Sequence, residues 1–464
     1  MIQHSDDYQE ALDFLYSRLN YENVGLPRGS EGLGLGRMRR LMRRLGDPQD
    51  CFKIIHVAGT KGKGSTCTML AAAASGCGYK TGLFCSPHLH FLEERFRIDG
   101  HLINRESLAR LLHEIRPAVE AIDSCHTNAL KLTFFEITTA MGLLYFARHN
   151  CDLVVLEVGM GGRLDSTNIV RPEVAVITSI SLDHTRQLGT TTAAIAREKA
   201  GIFKRGGVAI SGVTDPPAAA VIDQIAIERK CNYHKIDRDY HFENLPMPAE
   251  ILRPETMRFH LKTWARDWGE MQSPLLGPHQ VENAALSLAS LDAVEQFGLH
   301  FDREKISQAW QGLQMPARVE ILGNSPLLVI DGAHNAASAQ ALAETIKLSF
   351  PPAKGPRVLV FGTTREKDLE GQIAHLLPLF DRIVLTQYQK NPRARSLEET
   401  RAAIESACRI VDAELTSPVE ACHKARAMAG PNGQVVVTGS LFLAAEIRAA
   451  LLGIEDQALE EIRK

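Results

Sequence analysis

The chain has 464 residues, 45% of them hydrophobic and 23% charged, with a formal net charge of −3. That length exceeds one ordinary core and calls for two domains or more, each able to bury a sizeable interior. The near-neutral balance argues against a nucleic-acid-binding protein, an acidic tail or a disordered chain, so anionic ligands have to be met by local charges.

The nine cysteines are scattered, with no CxxC pair and no His/Cys cluster at zinc spacing. They read as small buried apolar residues in a reducing compartment. The N-terminus, MIQHSDDYQEALDFLY, is acidic and amphipathic rather than basic followed by an apolar core, and no run approaches membrane-spanning length. The expected location is the cytoplasm, without membrane or nucleic-acid partners.

In chain order, a first helix is expected over about Asp6 to Leu19, with Tyr8, Ala11, Leu12 and Leu15 on one face. A glycine-rich linker, Val24 to Gly36, leads into a basic helix from Arg37 to Leu45. Its Arg37, Arg39, Arg40, Arg43 and Arg44 read as a solvated face, because no aromatic residues interleave. The apolar run Phe52 to Val57 then feeds Gly59-Thr60-Lys61-Gly62-Lys63-Gly64-Ser65, and a small-residue helix follows from Thr66 to Ala74. Strand, glycine turn and helix together make a phosphate cradle: backbone N–H groups at the helix start point at the anion, and a lysine supplies a point charge. The strict P-loop pattern is broken, since Val57 stands where the first glycine belongs and Gly64 separates Lys63 from Ser65. A glycine-rich surface turn is the competing reading of this stretch alone.

Beyond it come a short strand, Thr81 to Cys85, ending in Ser86-Pro87-His88-Leu89, and helices Arg105 to Ile122 and Phe134 to Arg148. Apolar strands Asp152 to Val158 and Val174 to Ile180 lead into Gly159-Met160-Gly161-Gly162-Arg163-Leu164-Asp165 and Ser181-Leu182-Asp183-His184. A helix from about Thr191 carries Lys199, and Val208 to Ser211 is a further strand. This alternation predicts a mostly parallel sheet with helices on both faces. Cys231 to Gln272 breaks the rhythm and reads as antiparallel extra strands. Helices Val281 to Gly298 and Arg303 to Leu313 precede a boundary at Gln314-Met315-Pro316-Ala317. A second alternation then runs through strands Leu327–Ile330, Val358–Phe361, Arg382–Thr386 and Gln434–Val437, with helices at Ala337–Ser349, Leu369–Leu377 and from Leu397, Pro418 and Leu441. The expected fold is α/β: an N-terminal P-loop-type, mostly parallel sheet flanked by helices with a small antiparallel addition (residues 1–314), plus a smaller C-terminal Rossmann-like α/β domain (residues 315–464).

Several polar residues stand at strand ends, where α/β sheets present ligand-binding groups. Glu157 ends an apolar strand, where a carboxylate is costly unless paired or bound to a cation; Mg²⁺ beside a phosphate loop is one answer, a structural arginine partner the other. His184 also follows a buried strand and could equally be a satisfied polar residue. Lys199 in an ordinary helix would by default be solvated or paired with Glu198. Asp331-Gly332-Ala333-His334-Asn335 follows Leu327–Ile330, with ligand contact and an Asn335 helix cap as compatible roles. Arg318 could reach a phosphate across the domain gap or pair with Glu320.

The ordered set GTKGKGS, SPHL, TFFE, LEVGMGGRLDSTN, ITSISLDHT, REKAGIF, HQVENAA, PARVEI, VIDGAHN and TGSLFLAAEIR resembles the folylpolyglutamate synthase/dihydrofolate synthase family of Mur-ligase-type, ATP-dependent amide ligases. The resemblance covers most of the chain and accounts for the broken P-loop, because the family is similar in using a G-T-x-G-K-G-S form. It implies that Gly59, Thr60, Gly62, Lys63, Gly64 and Ser65 hold ATP phosphates, and that Asn283, Arg318 and Asp331 contact ATP, with His334 nearby. It implies that Ser86, Glu157 and His184 bind magnesium and that Lys199 becomes carbamylated and helps hold a second Mg²⁺. The catalytic group would be Lys63, Glu157, His184, Lys199 and His334. Ser86, Pro87 and His88, Thr133, Phe134, Phe135 and Glu136, and Leu164, Asp165 and Ser166 match segments lining the pterin-containing substrate's site.

Three departures stand out. Ala336 follows the DGAHN turn where the family often has proline, and Ala317 precedes Arg318 where glycine is common. The segment Glu22 to Gly36, with Pro27-Arg28-Gly29-Ser30, differs from the family's compact KLGL-type entry, which helps form the dihydropteroate pocket. The implied reaction adds L-glutamate to a folate, and to dihydropteroate, through an acyl phosphate made from ATP. The expected protein is a monomer with small-molecule partners only. A Mur-type ligase acting on a cell-wall precursor is the alternative, though its loop would carry threonine in place of Lys63-Gly64-Ser65.

Overall fold

Apolar, β-branched runs become the strands of two mainly parallel sheets in the computed structural model, which describes residues 2–21, 34–124, 131–246 and 256–454. The first sheet uses β1 (Lys53–Ala58), β2 (Thr81–Phe84), β3 (Phe96–Ile98), β4 (His101–Leu102), β5 (Leu153–Glu157), β6 (Val174–Ile177), β7 (Val208–Ser211) and β8 (Asn232–Lys235). Their spatial order is β4-β3-β2-β5-β1-β6-β7-β8. Every pairing from β2 to β8 is parallel, and β3 and β4 add an antiparallel edge. Side chains alternate across β1, so Ile55 and Val57 enter one core and Ile54 another. Both faces are therefore covered, as a parallel sheet requires.

Helices Lys63–Gly76, Pro278–Val294 and Arg303–Trp310 cover one face, together with an antiparallel sheet of β9 (Tyr240–Asn244), β10 (Met257–Thr263) and β11 (Asp267–Ser273). Helices Ile2–Tyr16, Leu35–Arg44, Arg105–Asp123 and Phe134–Arg148 cover the other. The expected face of the first helix is buried at Tyr8, Ala11, Leu12 and Leu15. The second unit holds β12 (Glu320–Asn324), β13 (Leu327–Ile330), β14 (Arg357–Phe361), β15 (Arg382–Thr386), β16 (Ala413–Leu415) and β17 (Gln434–Thr438), in the order β12-β13-β17-β14-β15-β16. Only β12 runs antiparallel to its neighbour in this sheet.

Two expectations need correction. Residues 232–235, at the start of the stretch read as antiparallel, form β8, which extends the main sheet parallel to β7; only β9 to β11 are antiparallel. Helix Pro216–Glu228, capped by Asp215 accepting the Ala218 N–H, supplies the crossover that a parallel β8 needs. The basic helix is not wholly solvated either. Its Arg37 turns inward to the Glu136 carboxylate, with Nε to Oε1 at 3.1 Å, while Arg39, Arg40, Arg43 and Arg44 are exposed. Most of the linker, including Pro27-Arg28-Gly29-Ser30, lies outside the described residues.

The connection between the units is conformationally unusual. Ala317 and Val319 have φ of +54° and +49°, a region that costs a residue with a Cβ and a β-branched residue most. That backbone explains why glycine suits the position before Arg318. Ala336 is the first residue of helix Ala336–Ser349, the position at which proline is also accommodated.

Candidate active site

The phosphate loop follows β1 and is squeezed from two sides. A Cβ on Gly59 would stand 1.8 Å from Thr178 Oγ1, and one on Gly62, whose φ is +83°, 2.2 Å from Asn283 Oδ1. Glycine is therefore compelled at both positions. The segment just past β6, the parallel neighbour of β1, clamps the loop: Thr60 N–H donates to the Ser179 carbonyl at 2.7 Å, and Thr178 Oγ1 donates to the Lys61 carbonyl at 2.6 Å. No side chain caps helix Lys63–Gly76 at Gly62, which leaves its first-turn N–H groups for an anion. Lys63 Nζ and Lys199 Nζ both donate to the Gly59 carbonyl, at 3.2 and 2.8 Å.

Lys199 is neither solvated nor paired with Glu198, which binds Arg163 instead. It is 4% exposed, and burial, with the Lys63 charge next, pushes its pKa down to about 7. Glu157, the last residue of β5, is equally buried. Burial raises its pKa, against the charges of Lys63, Arg318 and Arg95 and the Ser86 N–H, which donates to Oε2 at 3.2 Å. Its remaining lone pairs are open to a cation. Ser86 follows β2 on a cis peptide to Pro87. His184 sits at φ +49° with 45% of its side chain exposed. Among the described residues no three His, Cys, Asp or Glu side chains converge as a metal cage. The set instead offers one carboxylate, a hydroxyl, an imidazole and a lysine beside a phosphate loop. That suits Mg²⁺, which keeps waters and takes phosphate oxygens as ligands.

The second unit faces this loop with residues from the carboxyl end of β13. Asp331 is held by two backbone donors, Val319 N–H at 2.9 Å and Ala333 N–H at 2.7 Å, and so fixes the unusual linker to the sheet. Arg318 does not pair with Glu320, which binds Arg448; its guanidinium packs over Gly332, where a Cβ would meet it at 2.7 Å. Asn335 caps helix Ala336–Ser349 by accepting the Ser338 N–H at 2.9 Å. His334 Nδ1 donates to the Gly332 carbonyl at 2.9 Å, so Nε2 faces Lys61 Nζ at 3.4 Å as an acceptor.

Three residues outside the predicted set join the units here. Asp183 accepts from Lys61 at 2.9 Å and from Lys367 of the second unit at 3.4 Å. Burial opposes its charge, but Lys61, His184 and Lys367 together hold the carboxyl well below its usual range. Asp183 was visible as the neighbour of His184; Lys367 carries no local signal at all.

The expected pterin segments divide. Thr133 and Glu136 form a reciprocal capping box for helix Phe134–Arg148, and Phe134 is fully buried in the core. Phe135 is half-buried and packs against Gly159, where a Cβ would meet its ring at 2.4 Å. His88 Nδ1 accepts from Arg95 Nε at 2.8 Å. Asp165 accepts from Met160 N–H and Thr167, whereas Leu164 and Ser166 are partly exposed. Thr167 Oγ1 lies 2.8 Å from Nε2 of the buried His56. Most of these polar groups therefore brace the walls of a cleft, and Phe135, Leu164 and Ser166 remain accessible.

The Mur ligase middle domain family matches residues 57–291, and the Mur ligase, glutamate ligase domain family matches residues 317–441. The chain is 34% identical over 447 residues to the dihydrofolate synthase/folylpolyglutamate synthase of Bacillus subtilis, covering 96% of this chain and 99% of that protein. It is 31% identical over 448 residues to the folylpolyglutamate synthase of Lacticaseibacillus casei, with 96% and 99% covered. Among solved structures, Mycobacterium tuberculosis folylpolyglutamate synthase complexed with ADP and AMPPCP superposes with a TM-score of 0.85 at 31% identity, covering 97% of this chain and 99% of that one. Escherichia coli FolC in complex with DHPP and ADP gives a TM-score of 0.82 at 29% identity, with 96% and 98% covered.

Proposed function

The chain belongs to the folylpolyglutamate synthase/dihydrofolate synthase family of Mur-type ligases, and from that premise we propose how its own residues carry the ATP-dependent addition of L-glutamate to a folate and to dihydropteroate. The observation that carries the reading is the convergence of the Gly59–Ser65 loop, Glu157 and Lys199 on one side of a cleft with Arg318, Asp331 and His334 on the other. A cell-wall precursor as substrate is disfavoured by the full-length likeness to folate enzymes.

A carboxylate does not condense with an amine at neutral pH, because its oxygen is a poor leaving group. Transfer of the ATP γ-phosphoryl to it creates an acyl phosphate, which the glutamate amine attacks with release of phosphate. Glycine-spaced N–H groups and Lys63 would hold the phosphates, with Asn283 beside Gly62 on the same wall, and Arg318 would bind the nucleotide from the other wall. Ser86, Glu157 and His184 would hold Mg²⁺, which when bound neutralises charge on the phosphoryl oxygens. The cationic mouth of Lys61 and Lys367, with the His334 acceptor, suits the carboxylates and amine of an incoming amino acid. Water must be kept from the acyl phosphate, and two units that close on one another do this. We place the division between the units at residues 314/315 and the protein in the cytoplasm as a monomer. No helix among the described residues is long and apolar enough to cross a membrane.

The deciding experiment supplies purified protein with ATP, Mg²⁺ and glutamate, and either dihydropteroate or a reduced folate, and identifies products by mass. Glutamate adducts of both acceptors are expected. ADP release that does not require glutamate would overturn the reading.

Lys199 is proposed to react with CO₂, its neutral amine forming a carbamate and releasing one proton; this turns a cation into a carboxylate that can hold a second Mg²⁺. A pKa of about 7 keeps much of the amine neutral at physiological pH, and the carbamate N–H can still donate to the Gly59 carbonyl. Protein equilibrated with ¹³C-bicarbonate should show one carbamate carbon resonance that Lys199→Arg removes together with activity. Full activity in the arginine variant would end the proposal.

A further inference from the structure

The segment between β2 and β3 reaches away from its own sheet. At its base, Ser86 donates to Glu157. At its tip, Leu89 is only 8% exposed, yet the core it enters contains Ala317, Ile330, Tyr388 and Leu443, all from the linker or the second unit. His90 beside it is 2% exposed with both ring nitrogens unpartnered, and the charges acting on it are Glu94 from its own segment and Arg448, Glu320 and Lys390 from across the cleft.

This segment is stiff. The Glu94 carboxylate accepts the N–H groups of Leu89, His90 and Phe91 at 2.7, 2.9 and 3.1 Å. Arg95, wholly buried, donates to His88 and lies over the Phe134 ring at 5.1 Å. Tip and base therefore move as one body. The core that the tip enters also holds the connection between the units where it is most constrained: Ala317, at φ +54°, donates its N–H to Glu320 at 2.9 Å, and Glu320 in turn pairs with Arg448.

We propose that Leu89 is a positioning residue for the ligation reaction: seated in the second unit's core, which also holds Ala317, it ties the setting of the second unit to Ser86 and Glu157, so the metal-binding wall is aligned only when the units close. The device rests on the ligase reading above. It lets a change of angle at residues 317–319 reach Glu157 through one rigid segment, without passing through the phosphate loop. Phosphate binding by the Gly59–Ser65 loop then depends on Leu89 far less than turnover does.

Leu89→Ala should lower kcat about 10²-fold at saturating substrates, as a displacement near 1 Å at a reacting centre does. ADP affinity measured by calorimetry without Mg²⁺ should change far less than kcat. Leu89→Met, which refills the volume, should restore kcat. Wild-type kcat in Leu89→Ala, ADP affinity lost in step with kcat, or a methionine variant as slow as alanine would each overturn the inference. Should Leu89→Ala not fold, Leu89→Val is read by the same three criteria. Failure of the ligase reading shows itself differently, as absence of glutamate-dependent ADP release from the unmodified chain.

Discussion

Lys63→Ala is expected to reduce glutamate-dependent ADP release by about 10³-fold or more, the scale of removing one preorganised charge from a developing oxyanion, with the melting temperature almost unmoved. Lys63 opens helix Lys63–Gly76, and among the described residues its ammonium bonds only the Gly59 carbonyl, at 3.2 Å. One such bond is worth about 1 kcal/mol net, and Lys199 still satisfies that carbonyl at 2.8 Å. The substitution also removes a like charge beside Lys199. Because Lys63 is the second cause of the depressed Lys199 pKa, that pKa should rise in the variant, leaving less neutral amine at pH 7 and a weaker carbamate signal. Steady-state ADP release, thermal denaturation and the ¹³C resonance test the three parts separately. Turnover within tenfold of the parent would exclude Lys63 from phosphoryl transfer.

What could be read from the chain beforehand follows a physical division between local and non-local information. Strands Val208–Ser211 and Leu327–Ile330 and helix Phe134–Arg148 have the predicted bounds, because each is an apolar run delimited by its own caps and turn residues. The edge strands were missed. Residues 320–324 and 413–415 are short or half-polar, and become strands only because β13 and β15 offer them a partner. The parallel β8 was missed for the same reason: its direction is set by helix Pro216–Glu228 crossing back over the sheet.

In the candidate site, glycine spacing and charged residues at strand ends pointed to Lys63, Glu157 and Asp331. Spacing could not reveal that Asp331 and Asp165 spend their lone pairs on backbone N–H groups, whereas Thr133-x-x-Glu136 before an apolar run already carries the capping-box spacing of the helix start it makes. Lys61, Asp183 and Lys367 became legible only once two sheets faced each other, since their encounter spans 184 residues of sequence between Asp183 and Lys367.

Glu157→Gln should separate stability from function in opposite directions. Ligation should fall by about 10³-fold, comparable to the loss of a principal charge-stabilising group, while the unliganded protein becomes more stable at pH 7. The folded-state pKa of Glu157 is raised, chiefly by burial; the native state therefore binds that proton more tightly than the unfolded chain does. Its charged form weakens the fold above the raised pKa, and the penalty disappears as pH falls through that pKa to the ordinary carboxylate value near 4.3. Glutamine carries no charge to desolvate. The variant should melt above the parent at pH 7, and the difference should close as pH drops toward the carboxylate range. Mg²⁺ with ADP should reverse the order. Ligand at 100 times its dissociation constant stabilises the parent by about 2.7 kcal/mol, and a glutamine that binds the metal poorly forfeits the metal-dependent share, so chelation with EDTA should shift the melting curve of the parent far more than that of the variant. If instead Glu157→Gln melts below the parent at pH 7 without ligands, then Lys63, Arg318 and Arg95 already compensate the carboxylate, and its burial at the end of β5 is a structural ion cluster rather than a strained site kept for a cation.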